Sequence, residues 1–163
     1  MSKNEISNLN ILLKDALNFH KKNNFLEAAK IYEKIISIDS CHFEANFFLG
    51  TLKAQTKKFE DASNFLNKAI QIKPEIPDLY NNLGLVYREI GKFEKSLESF
   101  DKAIKQNPNF SIAYNNKGIV YRDLKKNEEA KKNFQHSIKL DPNNSDPYNN
   151  LGLVYIDLKK IEK

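Results

Sequence analysis

The residues of this 163-residue chain best able to bind a metal or to act as a nucleophile are His20, His42, His136 and the single cysteine, Cys41. A metal site needs several such side chains at short fixed spacings, such as two histidines four apart on one helix. Each histidine stands alone in its own stretch of chain, and one cysteine excludes both an intramolecular disulfide framework and a multi-cysteine site. Cys41 and His42 are neighbours, but no acid follows at a spacing that would complete a nucleophile with its base, so the pair reads as ordinary loop. The glycines occur singly, which rules out a glycine-rich phosphate cradle. Adjacent acids such as Glu128 and Glu129 read as a solvated surface. The chain is therefore expected not to be an enzyme, and to need no cofactor and no metal.

Charge narrows the partners further. A net charge of +5 would permit an acidic partner, yet the 26 basic residues are diluted by 21 acidic ones along the whole chain. Only Arg88 and Arg122 are arginines, the residue type suited to bidentate recognition of phosphates and bases, so nucleic acid is not expected as a ligand. No apolar run approaches the roughly 18 residues of a membrane helix. Glu5 and Lys14 interrupt the apolar Ile11, Leu12 and Leu13, unlike a signal peptide, so a cytoplasmic location is expected.

The elements that must position any site are set by a repeat. Tyr80, Asn81, Asn82, Leu83, Gly84, Leu85, Val86 and Tyr87 return unchanged at Tyr148 to Tyr155, and at Tyr114 to Tyr121 with Lys117 and Ile119 substituted; the step is 114 − 80 = 148 − 114 = 34. Leu49 and Gly50 hold the same frame upstream, as does Ala16. Further columns are Ala28, Ala62, Ser96 and Ala130; Tyr32, Leu66, Phe100 and Phe134; and Pro74, Pro108 and Pro142. Tyr80, Leu83 and Tyr87 lie at i, i+3 and i+7, as do Leu97, Phe100 and Ile104, so each unit predicts two amphipathic helices, A and B. Small residues at Gly84 and Ser96 allow the pair to cross closely. Pro108 ends helix B, and Ser111 and Ser145 are candidate N-caps of the next helix A. Gly91 and Asn23 suit the left-handed turn that ends helix A, whereas Lys57, Lys125 and Lys159 are less comfortable there.

The layout expected is a tail over 1–8, repeats at 9–42, 43–76, 77–110 and 111–144, and a lone helix A over 145–163. Tyr148, Leu151, Leu153, Val154, Tyr155 and Leu158 keep the internal apolar pattern where a capping helix would be polar on its outer face. The natural protein is thus expected to continue, with a half-repeat cap as the alternative, and the final helix is expected to self-associate or fray.

With these columns the chain resembles the tetratricopeptide repeat proteins from Leu9 to Lys160. The resemblance implies an all-α, right-handed superhelical solenoid of antiparallel helix pairs whose A helices line a concave groove for an extended peptide or a partner helix. In that frame the groove holds Phe47, Phe48 and Thr51; Asn81, Asn82, Leu85 and Arg88; Asn115, Asn116, Ile119 and Arg122; and Asn149, Asn150 and Leu153. An asparagine amide both donates and accepts, so the ladder could grip a peptide backbone or simply tie neighbouring helices together. Arg88 with Glu89 and Arg122 with Asp123 could pair internally or face an acidic ligand. Three departures stand out: Asp15 and Lys117 in the column of Leu49, Leu83 and Leu151, and Asn127 in that of Phe25, Phe59 and Phe93. The carboxylate clamp of some relatives needs lysines and an arginine where this chain has Leu13, Phe47, Asn81 and Asn82. The first units, through Ala16, His20, Phe25, Ala28 and Tyr32, are also similar to the repeat arm of O-linked N-acetylglucosamine transferase-like proteins. That resemblance implies, as the alternative, a substrate-recognition arm whose catalytic domain lies elsewhere.

Overall fold

The computed structural model describes residues 3–161, with side chains over 5–159. Every regular element among them is an α-helix: α1 Lys3–Lys21, α2 Phe25–Ile38, α3 Phe43–Gln55, α4 Phe59–Ile72, α5 Pro77–Glu89, α6 Phe93–Gln106, α7 Ser111–Asp123, α8 Asn127–Leu140 and α9 Asp146–Ile161. Among the described residues no helix is long and apolar enough to cross a membrane. The chain divides into two compact units, Met1–Glu75 (unit 1, α1 to α4) and Ile76–Lys163 (unit 2, α5 to α9). Within unit 1, α1 packs on α2 and α3 on α4; within unit 2, α5 packs on α6, α7 on α8 and α8 on α9. The A helices also touch one another, α1 with α3 in unit 1, and α5 with α7 and α7 with α9 in unit 2. Each unit is therefore an all-α array of helix pairs with one layer formed by its A helices.

The turns between A and B repeat the same backbone hydrogen bonds. Asn23, Lys57, Gly91 and Lys125 adopt φ of 58°, 58°, 72° and 59°. The next amide in each turn reaches back five residues, with Asn24 donating to the Phe19 carbonyl at 2.9 Å, and Lys58 to Lys53, Lys92 to Tyr87 and Lys126 to Tyr121 at 2.8 Å. These bonds satisfy carbonyls that the end of the A helix would otherwise leave without partners, and so hold two lysines in a left-handed conformation that L side chains adopt at a cost. Acids in the first turn of the B helices, among them Glu60, Glu94 and Glu128, complement the helix dipole.

Three local expectations differ from what the fold adopts. Residues 3–8, expected as part of a tail over 1–8, are helical and belong to α1. Ser111 is the first residue of α7 and not its cap; Phe110 holds the cap position, and the Ser111 carbonyl instead accepts a hydrogen bond from the Ser137 hydroxyl at 2.9 Å. Lys159 lies inside α9, which runs to Ile161 without a left-handed turn at this position.

The core forms where the small column meets the large one. A Cβ added to Gly50 would lie 2.9 Å from Leu66, to Gly84 2.7 Å from Phe100, and to Gly118 2.6 Å from Phe134, so only glycine lets these helices approach so closely. Ser96 stays satisfied in this contact by donating to the Gly84 carbonyl at 2.7 Å. A Cβ added to Gly152 of α9 would meet nothing within 4 Å beyond its own helix. Its helix instead seats Val154 on Ala130 and Phe134, leaving Tyr148, Leu153, Tyr155 and Ile156 about half exposed.

Candidate functional site

The inner face of the A helices is built differently in the two units. In unit 1, α3 contributes Phe47, Phe48 and Thr51, spaced so that all three border one cavity of about 470 Å³. Leu17, His20 and Lys21 of α1, Asn23 in the turn, Phe25 at the start of α2 and Gln55 at the end of α3 complete the wall. The rings brace one another. Phe47 stacks on Phe43 with centroids 6.1 Å apart and meets Phe48 at 5.2 Å; Phe48 stacks on Tyr32 at 6.1 Å. His20 is set edge-on to Phe25 at 5.7 Å and to Tyr32 at 6.0 Å.

His20 is also held by hydrogen bonds. Its Nδ1 lies 3.3 Å from the Tyr32 hydroxyl and its Nε2 2.9 Å from Gln55 Oε1. The Tyr32 side chain is fully buried, and burial pushes its hydroxyl up to about 12, so it stays protonated at neutral pH. The Gln55 Oε1 can only accept, so the His20 Nε2 is the donor of that pair.

In unit 2 the corresponding positions carry amides that bond to each other. Asn116 of α7 donates from Nδ2 to Oδ1 of Asn81 on α5 at 3.0 Å, and Asn150 of α9 donates in the same way to Asn115 of α7 at 3.0 Å. Asn81, Asn115 and Asn116 are buried, Asn82 and Asn150 are half-buried, and Asn149 is exposed. Leu85 and Ile119 are half-buried on the same helices, and Leu153 is exposed on α9.

The two arginines diverge in spite of their shared column. Arg88 donates from Nε to Asp123 at 2.7 Å and from Nη1 to Glu89 at 3.3 Å. Arg122 makes no ion pair among the described residues, and its Nη1 is buried without a partner. Asn127, standing where Phe25 and Phe93 stand in other repeats, is likewise buried with its Oδ1 unpartnered. Lys117 keeps its stem in the packing while its Nζ reaches Asp101 at 2.5 Å.

The other chemistry-bearing residues are dispersed. His42 caps α3, accepting from the Ala45 amide at 3.4 Å. Cys41 is exposed, and His136 packs on Tyr114 with ring centroids 4.2 Å apart. Among the described residues no three His, Cys, Asp or Glu side chains gather as a metal ion would require.

Leu17, His20, Lys21, Phe25 and Gln55 were not singled out by sequence as a site. The signal was present, since His20 stands 68 residues, two repeats, before Arg88; carrying the groove columns back to α1 brings it in.

Comparisons with known proteins come from families and folds. Models described as Tetratricopeptide repeat match residues 77–110 and 99–132, and one described as TPR repeat matches 50–91 and 118–159. Among curated proteins none matches the chain in sequence. The crystal structure of MamA protein is similar with a TM-score of 0.83 and 22% identity over 90% of this chain and 80% of that one. That of YrrB, described as a TPR protein with an unusual peptide-binding site, is similar with a TM-score of 0.75 and 22% identity over 91% and 76%. The first TPR of Spaghetti (RPAP3), solved bound to the HSP90 peptide SRMEEVD, is similar with a TM-score of 0.69 and 26% identity over 74% and 96%.

Proposed function

Because the chain belongs to the tetratricopeptide repeat family, we propose that it is a non-catalytic protein-interaction scaffold that holds an extended peptide or partner helix along the inner faces of its A helices. The observation that carries this reading is the cavity of unit 1, because its wall includes Phe47, Phe48 and Thr51, the three groove positions of α3. At about 470 Å³, concave and mostly apolar with a few polar groups, it has the character of a ligand site. The peptide-bound state of Spaghetti and the peptide-binding site of YrrB support the same use of the fold. A substrate-selecting arm of a transferase would use this face too, but none of the matched families and structures above is named for a transferase. The exposed Tyr148, Leu153, Tyr155 and Ile156 of α9 offer a second contact surface, and support self-association through that helix.

The groove reading of unit 2 is tested by replacing Asn82, Asn116 and Asn150 together by alanine, then measuring peptide-array binding and thermal melts beside the parent. Each lost hydrogen bond is worth about 0.5 to 1.5 kcal/mol. Loss of binding with helicity and melting nearly intact would make the ladder a ligand contact. A melt that collapses while array binding is unchanged would make it a tie between helices.

A further inference from the structure

We infer that the cavity of unit 1 is an anchor pocket for an aromatic side chain whose neighbours along the partner peptide are acidic. The inference rests on the groove reading above and names the ligand class of its unit 1 portion. Its apolar wall consists of Leu17 and three phenylalanine rings, two of which are braced from behind, Phe47 by Phe43 and Phe48 by Tyr32. Phe47 and Phe48 are tilted by 49° to each other, so the pair offers both a ring face and a ring edge. Aromatic rings associate through offset and edge-to-face contacts of this kind, and gain from them beyond the area they bury.

A box of aromatic rings can also receive a cation, and charge decides between the two. No carboxylate borders the cavity, whereas Lys21 does, with no ion pair of its own among the described residues. Cation binding would place like charges together in a partly desolvated site, whereas an acidic flank would meet an ammonium group. Continuity along α1 supports the same choice. Leu17 and Lys21 also border a second hollow of about 560 Å³ that runs beside Leu13, Lys14 and Asp15, so residues flanking the anchor would pass two lysines and one carboxylate. Part of the polar wall is already engaged: His20 is bonded at both nitrogens, the Gln55 Oε1 is taken by His20, and the Thr51 hydroxyl donates to the Phe48 carbonyl at 2.9 Å. The rings and Leu17 supply the apolar recognition of the anchor, with the amides of Asn23 and Gln55 beside them, and charge supplies recognition of its flanks.

The test titrates the full chain, followed by NMR, with three nonapeptides in a glycine-serine host: one phenylalanine between pairs of glutamates, the same peptide with alanine for phenylalanine, and the same with lysines for the glutamates. The first should shift the His20 ring and Thr51 methyl signals and bind at least about tenfold more tightly than either of the others. Thr51→Phe, which fills the cavity, should abolish the difference between phenylalanine and alanine, with circular dichroism confirming the fold. Lys21→Glu, at an exposed position, should narrow or reverse the preference between the glutamate and lysine flanks. Equal binding of the phenylalanine and alanine peptides, preference for the lysine-flanked one, or no shift of His20 and Thr51 would overturn the pocket. Panning a random peptide library on the parent and on Thr51→Phe keeps the two readings apart. Peptides enriched equally on both chains would sink the pocket and keep the groove, whereas no enrichment on either would sink both.

Discussion

In unit 1 the inner face carries Phe47 and Phe48 beside a cavity of about 470 Å³, whereas the same two columns in unit 2 carry asparagines, of which Asn116 and Asn150 bond to Asn81 and Asn115. The two faces share one repeat frame, and the side chains in it differ. A phenyl ring has no hydrogen bond to satisfy, and tilted rings tile a concave surface incompletely, which leaves space. A buried amide must find partners, and its nearest are the amides of the adjoining A helix, so the face ties itself together. Arg88 is likewise engaged by Asp123 and Glu89. The contrast teaches that repeat position specifies which residues face inward, while residue chemistry decides whether that face is free to meet a ligand.

The comparison breaks most severely at Tyr32, the fully buried ring behind His20 and Phe48. Tyr32→Ala is expected to cost about 3 to 5 kcal/mol, as large aromatic truncations in cores do, and to abolish the His20 and Thr51 shifts of a peptide titration. Chemical denaturation of the variant measures the first effect and NMR the second.

Alkali acts on the same residue by a different route. Because burial raises the folded-state value of Tyr32 from 10.0 to about 12, the unfolded chain loses this proton first. The stability contributed by the protonated hydroxyl is full below pH 10 and is lost as pH rises toward 12, approaching about 3 kcal/mol. Tyr32→Phe should remove this component of the pH dependence, as followed by urea melts across the alkaline range.

Unit 2 is probed by unequal members of one column. Asn116→Ala leaves the buried Asn81 carbonyl oxygen without its donor, and should cost about 1 to 3 kcal/mol. Asn82→Ala removes an amide with no side-chain hydrogen bond among the described residues, and should stay within about 0.5 kcal/mol. Equal melting temperatures for the two variants would dissolve the distinction between a tied and an untied amide.

Along the glycine column the expected effect changes sign. Gly152→Ala meets open space on α9 and should stabilise by about 0.5 to 1 kcal/mol through helix propensity. Gly118→Ala forces a methyl to 2.6 Å from the Phe134 ring and should destabilise, reversing the sign in a thermal melt.

Much of the fold was legible in sequence because its determinants are local. The step of 34 residues, the i, i+3, i+7 stripes and the paired small and large columns specify helix pairs without reference to distant atoms. The left-handed turn at Gly91 followed from residue type, whereas Lys57 and Lys125 sit there because backbone bonds across the turn hold them. Ser111 shows the limit: its type suits a cap, yet its place in the close packing of α7 and α8 puts it inside the helix.

The candidate site was legible as a set of inward positions and no further. Sequence by itself determined that Phe47, Phe48, Asn81, Asn116, Arg88 and Arg122 occupy columns of one helix face, since that depends only on helical period and repeat length. Only the tertiary structure decided that Asn116 is spent on Asn81, that Arg88 is paired while Arg122 Nη1 is not, and that His20 and Phe25 join Phe47 and Phe48 around a cavity. The physical reason is range. Helical period is set within a few residues, whereas a hydrogen bond between side chains 35 positions apart depends on ångström-scale placement that no spacing encodes.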